Sequence, residues 1–209
     1  MAWYDVFAGV YDASVERVYA PYRARIAEAL GDVRGGVVLD LPVGTGPNLP
    51  HLRAAVGPQG AVVGVDLSSG MLRRCRARCA QEGWTDVHLL ERDARAVTAA
   101  DLAEATGREG GLDGVVVTLG LTVFPDWEQV FASTFALLRP GGRYVIFDVH
   151  AERWVLQTCI VSLMAQADMG REVWRPLEAA AEGYEREVLE GSVHVHGGHP
   201  FLASGRKPA

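Results

Sequence analysis

Val37-Val38-Leu39-Asp40-Leu41-Pro42-Val43-Gly44-Thr45-Gly46 is the stretch on which the fold turns. Val37 to Leu41, apolar except for Asp40, reads as a short strand buried on both faces, the pattern of a parallel sheet. Gly44 and Gly46 follow at its carboxyl end, where a turn without side chains lets a ligand approach the backbone. A helix is expected from there to about Val56. In an open α/β sheet, ligands bind beyond the carboxyl ends of the strands, and the N–H groups that open the next helix can face an anionic group.

Working outward, the same rhythm repeats. Ala61–Asp66 reads as a second strand, and Ser68 as the cap of a helix from about Ser69 to Glu82. Val87–Leu90 is a third strand, Ala99–Thr106 holds a helix closed by Gly107, and Leu112–Leu119 is a fourth strand. Asp126, with Gln129 three residues on, looks like the cap of a helix reaching Leu138, and Arg139-Pro140-Gly141-Gly142 turns into a fifth strand, Arg143–Val149. Strands alternating with helices at these lengths imply a parallel sheet. The tail departs from it. After helices near Glu152–Gln166 and Arg171–Ala181, two strand-like stretches, Glu185–His196 and Pro200–Ser204, flank Gly197-Gly198 and suggest an antiparallel hairpin. Upstream, Trp3, Phe7, Val10, Tyr11, Val15, Val18 and Tyr19 follow helical spacing until Pro21, and a second helical piece runs to Gly31.

The chain has 209 residues, 49% of them hydrophobic and 22% charged, which fits one globular domain. A net charge of −6 argues against nucleic acid or an anionic membrane as partner, because both select basic surfaces. The start of the chain lacks the basic stretch and apolar core of a signal peptide, and Trp154–Met164 is too short and too interrupted to span a bilayer. Three cysteines, without the clustering a zinc site needs, read as reduced thiols in a cytoplasm.

Two acids sit at strand ends. Asp66 ends the second strand twenty residues after Gly46, where a carboxylate can accept hydrogen bonds from both hydroxyls of a ribose. A dinucleotide fingerprint wants a third glycine three residues after the second, and Leu49 stands there. The negative charge of Asp40 would repel a diphosphate and favour the cationic end of S-adenosylmethionine. An NAD-dependent oxidoreductase is therefore the weaker reading. A protein that binds S-adenosylmethionine without methylating, as a sensor or as host to another reaction, stays open.

VLDLPVGTG resembles the first motif of the class I S-adenosylmethionine-dependent methyltransferases, VVGVDLSSGMLRRCRAR their second and ERDAR their third. GLTVFPDW and LLRPGGRYVIFD resemble their fourth-strand and fifth-strand segments. The resemblance covers roughly Trp3 to Asp148 and is nearest to the ubiquinone/menaquinone-biosynthesis type and to bacterial phosphatidylethanolamine N-methyltransferases, whose "YD" helices Tyr4-Asp5 and Tyr11-Asp12 resemble. Pro42 departs from the pattern, standing where the family usually has its first glycine.

The resemblance implies a Rossmann-like α/β fold with a mostly parallel seven-stranded sheet, a C-terminal antiparallel hairpin and an N-terminal helical lid. One domain spans residues 1–209, with the lid over 1–35, the cofactor-binding core over 36–150, and helices and the hairpin over 151–209. It implies that Gly44, Thr45 and Gly46 line the methionine portion of the cofactor, with Asp40 near its amino group. Asp66 would hold the ribose, Leu67 and Met71 would pack around the adenosine, and Asp93 and Ala94 would meet the adenine. Leu119 and Thr122 would lie near the sulfonium, and Tyr11 would close over the cofactor. Plainer readings stand beside these. Asp93 has the lesser alternative of a solvated strand-end residue, Met71 reads equally as core, and Tyr4, Tyr11, Tyr19 and Tyr22 as a helix-packing seam.

For the acceptor, the reading is a small molecule or lipid carrying an amine, phenol or quinol. A phenol or carbon acid needs a base, and His150, oriented by Asp148, is the candidate by topology, with a polar strand-end pair as the alternative. Phe124, Trp127 and Trp154 are candidates for an apolar acceptor pocket. Trp154–Met164 fits a greasy acceptor or core packing equally. His194, His196 and His199 have metal-like spacing but no carboxylate or cysteine to complete a site, so no metal is expected. A homodimer is left open as the assembly.

Overall fold

The computed structural model describes residues 17–191 and 193–209. In chain order its elements are α1 (Arg23–Glu28), β1 (Val37–Leu41), α2 (Leu49–Val56), β2 (Ala61–Asp66), α3 (Ser69–Gln81) and β3 (Val87–Glu91). They continue with α4 (Ala99–Thr106), β4 (Leu112–Thr118), α5 (Trp127–Ala136), β5 (Leu138–His150), α6 (Leu156–Ala165), α7 (Arg175–Ala180), β6 (Glu182–Val188), α8 (Val193–His196) and β7 (His199–Arg206). Short 3₁₀ turns occupy Ala20–Tyr22 and Ala94–Ala96.

The seven strands form one sheet in the order β3-β2-β1-β4-β5-β7-β6. β1 pairs in parallel with both β2 and β4, in register Asp40↔Gly64 on one side and Asp40↔Val116 on the other. The chain moves outward from β1 through β2 to β3 and then crosses back to β4, so β1 and β4 form the switch point where a ligand crevice belongs. β7 is antiparallel to both β5 and β6. All five residues of β1 are buried, as their apolar run requires.

Both faces of the sheet are covered. Leu39, Leu41, Val115, Val117, Tyr144 and Ile146 pack on one side with α5 and α7, and Val38, Val116, Val145 and Phe147 on the other with α1, α2 and α3. The part of the expected lid that is described belongs to this second layer. Ile26 and Leu30 are buried in it, and Tyr19 sets its ring edge-on against Phe147 at 5.7 Å. The remainder of the expected lid, with Tyr4 and Tyr11, lies outside the described residues.

The C-terminal hairpin is real but its bounds differ from the expectation. β6 stops at Val188, and the alternating stretch Val193–His196 is helical. The reason is tertiary: His196 is buried against the rings of Tyr19 and Tyr22 at 5.1 and 6.2 Å, and that packing overrides the local β-branched pattern. Among the described residues, no helix is long and apolar enough to cross a membrane.

Candidate active site

The turn after β1 distinguishes its two glycines. Gly44 has φ +55°, and among the described residues an added Cβ there would meet nothing within 4 Å. Gly46 has φ +82°, and its added Cβ would fall 2.6 Å from Leu49 Cδ1 and 2.8 Å from Cys75 Sγ. Gly46 therefore lets α2 and α3 close on the turn, while Gly44 leaves an open approach. Thr45 between them is half-buried. The Leu41–Pro42 peptide is cis. Pro42 packs against Gly120 across the crevice, where an added Cβ would lie 2.6 Å from its Cδ.

Asp66 faces this turn. Its Oδ2 accepts the N–H of Gly44 at 2.9 Å and its Oδ1 accepts the N–H of Ser68 at 2.8 Å. Burial raises its pKa above the ordinary carboxylate value, and the Ser68 and Gly44 N–H groups oppose that rise. A carboxylate offers about four lone-pair sites, so the backbone N–H groups of Gly44, Ser68 and Leu67 still leave room for a ligand hydroxyl. Leu67, the next residue, is 56% exposed, a large apolar side chain held in the open beside the acid. Ser68 caps α3 by accepting the N–H of Met71, which is itself nearly buried.

Asp40 is fully buried at the centre of the sheet's edge. Its Oδ1 accepts Asn48 Nδ2 at 2.8 Å, while its Oδ2 has no hydrogen-bond partner among the described residues. Burial pushes its pKa up to about 7, against the lowering effect of Asn48 and of the Arg23 charge. Asn48 also donates to Thr118 Oγ1 at 3.0 Å and accepts Arg23 Nη1 at 2.8 Å. Asn48, Thr118 and Arg23 are absent from the sequence-level set. Asn48, two residues past the second glycine at the start of α2, was the one legible signal.

Asp93 follows β3 and caps the 3₁₀ turn, accepting Arg95 N at 2.9 Å. The Arg95 guanidinium bonds both its carboxylate oxygens and holds its pKa below the ordinary value. Arg95 also pairs with Asp126 at the start of α5. Asp93 is thus an ion-paired residue, and Ala94 beside it is buried in the core.

At the tips of β4 and β5 the expected pairing of Asp148 with His150 is not made. Buried Asp148 accepts the Thr122 hydroxyl at 2.7 Å, the Thr122 N–H at 3.2 Å and its neighbour Val149 N–H at 2.9 Å. Burial pushes its pKa up to about 6. His150 instead sets its ring edge-on to Trp174, 4.8 Å between centroids, with Nδ1 buried and unpartnered. Two positions apart on one strand the side chains share a face, but the closer Thr122 donors take the carboxylate. Leu119 is half-buried and holds φ +54°, a left-handed conformation that costs a non-glycine residue about 1–3 kcal/mol and marks the tip of β4 as strained.

The aromatic acceptor wall is not assembled as expected. Phe124 and Trp127 pack against the core, while Trp154 stays 53% exposed beside Gly170. Core packing does not account for α6, which buries Thr158 and Ser162 and exposes Leu156 (79%), Ile160, Leu163 (80%) and Met164. His199 is exposed and paired in register with His150, and among the described residues no cluster of His, Cys, Asp and Glu is placed to hold a metal. Cavities of about 340 and 360 Å³ lie away from the strand tips. One is at the opposite end of the sheet by Val37 and Leu112, the other between α1 and the β5–β7–β6 edge.

Residues 38–142 match the family model described as a methyltransferase domain. The chain is 33% identical over 127 residues to a demethylmenaquinone methyltransferase of Lactococcus lactis, covering 61% of this chain and 47% of that one. It is 35% identical over 141 residues to the nocamycin O-methyltransferase of Saccharothrix syringae, covering 67% and 47%. The chain thus spans about half the length of the curated relatives it matches. Among solved structures it resembles the Haemonchus contortus phosphoethanolamine N-methyltransferase 2, with a TM-score of 0.71, 16% identity, and 90% and 53% of the two chains covered. With its methyltransferase-domain match over half the chain and its 3-2-1-4-5-7-6 sheet, the chain belongs to the class I S-adenosylmethionine-dependent methyltransferases.

Proposed function

We propose that the protein transfers a methyl group from S-adenosylmethionine to a small-molecule acceptor. The observation that carries this reading is the convergence of Gly44 and Asp66, joined by a 2.9 Å hydrogen bond beside an open approach to the turn. The residues present fit the cofactor. Asp66 would accept the ribose hydroxyls, Leu67 and Met71 would bracket the adenosine, and the buried charge of Asp40 would attract the ammonium of the methionine portion. Thr45, Gly46 and Leu119 complete the wall, and Asp93 reaches the adenine amino group when Arg95 releases it.

S-adenosylmethionine, when bound, supplies a sulfonium-activated methyl group. The chain's own contribution is to fix the nucleophile in line with it in a dry crevice, a source of large rate gains without covalent chemistry by the protein. Asp148 is a positioning residue here, holding Thr122 and the β4 tip. His150 has no carboxylate behind it and is not assigned as the base, so a quinol or phenol acceptor is read as binding already ionised. The family resemblance gives Tyr11 and the segment 1–16, which lie outside the described residues, a role in cofactor binding. Removing residues 1–16 is expected to leave a folded domain with weaker cofactor binding, because Tyr19, Ile26 and Leu30 remain in the core.

For the acceptor class, relatives named as a demethylmenaquinone methyltransferase and a nocamycin O-methyltransferase favour a quinol or another oxygen-bearing acceptor over an amine. The exposed Leu156, Ile160, Leu163 and Met164 of α6 suit an apolar molecule of that kind. The test is a methyl-transfer screen against quinols, phenols, amines and phospholipids, read as S-adenosylhomocysteine release. Turnover with quinols or phenols is expected. Calorimetry showing affinity for NADH and none for S-adenosylhomocysteine would overturn the reading.

A further inference from the structure

Asn48 joins four elements through one buried amide. It stands at the start of α2, 3% exposed, and reaches Asp40 on β1, Thr118 at the end of β4 and Arg23 at the start of α1. Its orientation is dictated by chemistry. A guanidinium only donates and an ionised carboxylate only accepts, so the amide oxygen must face Arg23 and the nitrogen must face Asp40, and the Thr118 hydroxyl accepts from that nitrogen. Both amide hydrogens are then used, one on each acceptor, and reversing the group would break the bonds to Arg23 and Asp40.

A carboxylate as deeply buried as Asp40 is costly to ionise, and a neutral carboxyl group attracts an ammonium far less strongly. What keeps its charge is the donor at 2.8 Å and the positive charge behind that donor. Asp66 from β2 acts in the opposite direction as a like charge, and Cys75 of α3 is the other titratable group facing Asp40. The Asn48 bond occupies Oδ1 alone, leaving Oδ2 without a partner among the described residues.

Resting on the cofactor reading above, we propose that Asn48 is a positioning residue: with Arg23 behind it, its amide keeps Asp40 ionised, so that a buried negative charge stands beneath the turn for the cofactor's ammonium. Asn48 itself touches no reacting atom. The proposal makes cofactor affinity depend on pH through the amino-acid end of the ligand and not through its nucleoside.

The experiment titrates S-adenosylhomocysteine and 5′-methylthioadenosine, which lacks the amino-acid end, into wild type, Asn48→Leu and Arg23→Gln by calorimetry from pH 6 to pH 8.5. Apparent affinity scales with the ionised fraction, so with Asp40 titrating at about 7 the wild type is expected to lose about tenfold in S-adenosylhomocysteine affinity from pH 8 to pH 6. Both variants are expected to move that profile to higher pH, by about one unit for Asn48→Leu, with a loss of roughly fivefold at pH 7. Methylthioadenosine affinity is expected to stay the same across all three proteins. Profiles that superimpose, or equal losses for both ligands, would overturn the positioning role. Arg23→Gln decides the question alone if circular dichroism shows Asn48→Leu unfolded. A wild type that binds neither nucleoside overturns the cofactor reading itself.

Discussion

The backbone N–H of Gly44 donates to Oδ2 of Asp66 across 2.9 Å, tying the turn after β1 to the acid that ends β2. The bond spans 22 residues of sequence and sets the floor of the proposed cofactor site before any ligand arrives. It also means that removing the carboxylate disturbs both a ligand contact and the turn.

Asp66→Ala is therefore expected to weaken S-adenosylhomocysteine binding by about 1.5–3 kcal/mol, the range for hydrogen bonds to a charged group. Asp66→Asn should recover little, because an amide oxygen replaces only one acceptor and its nitrogen meets the Gly44 N–H or the Ser68 N–H donor to donor. Calorimetry on both variants checks this, with circular dichroism to confirm that they fold. An unchanged dissociation constant removes Asp66 from the site.

The two glycines of the turn should fail in different ways. Gly46→Ala drives a Cβ into Leu49 and Cys75 and is expected to cost about 1–3 kcal/mol of stability by overpacking, read as a lowered Tm. Gly44→Ala meets no neighbour among the described residues and pays only the left-handed backbone cost of roughly 1–2 kcal/mol. Relative to its loss of Tm, Gly44→Ala should lose the more cofactor affinity, because its methyl group enters the approach that the ligand needs. The reverse ranking would assign the open approach to some other use.

Asp40→Asn should stabilise the free protein while weakening cofactor binding. The folded pKa of about 7 lies above the ordinary 3.8, so the folded state holds this proton more tightly than the unfolded chain does. The associated stability is present below about pH 3.8 and is lost as pH rises through 7. At pH 8 the wild type carries the buried charge at full cost, and the amide removes it, a gain on the order of 1–4 kcal/mol. At about 2–4 °C per kcal/mol, thermal melts detect this readily. The advantage of the variant should shrink steadily from pH 8 to pH 4. A constant difference across that range would show that Asp40 ionises freely in the folded protein.

His150→Ala is expected to lower the single-turnover methyl-transfer rate by less than about tenfold, roughly 1.4 kcal/mol, with cofactor affinity unchanged. The expectation follows from its surroundings: its ring packs on Trp174, and Asp148 is engaged by Thr122. A base working in the transition state would contribute about 10²–10⁴-fold. A fall of that size in rapid-quench measurements would make His150 the base after all.

Much of this fold was legible because the information is local. An apolar run buried on both faces identifies β1 without reference to any partner, and Ser68 announces α3 through a bond to a residue three positions on. Gly44, Gly46 and Asp66 could be placed at strand ends from spacing alone. The boundaries failed where tertiary packing overrode a local pattern, as at Val193–His196, which the rings of Tyr19 and Tyr22 hold as a helix.

By itself, the sequence determined the alternation of strands and helices, the glycine turn and the acids at the strand tips, since periodicity and turn chemistry act within one element. Only the tertiary structure decided who pairs with whom. It gave Asp148 to Thr122 and not to His150, placed Asn48 between Asp40, Thr118 and Arg23, and sank Ile26 and Leu30 into the core of a segment that reads as a lid. It also turned α6 so that Thr158 and Ser162 are buried while Leu156 and Leu163 meet solvent. Hydrophobic spacing reports the faces that one element offers. Hydrogen-bond partners are chosen by which donors and acceptors reach each other once elements pack, and Asn48 and Thr118 meet across 70 positions that no local pattern spans.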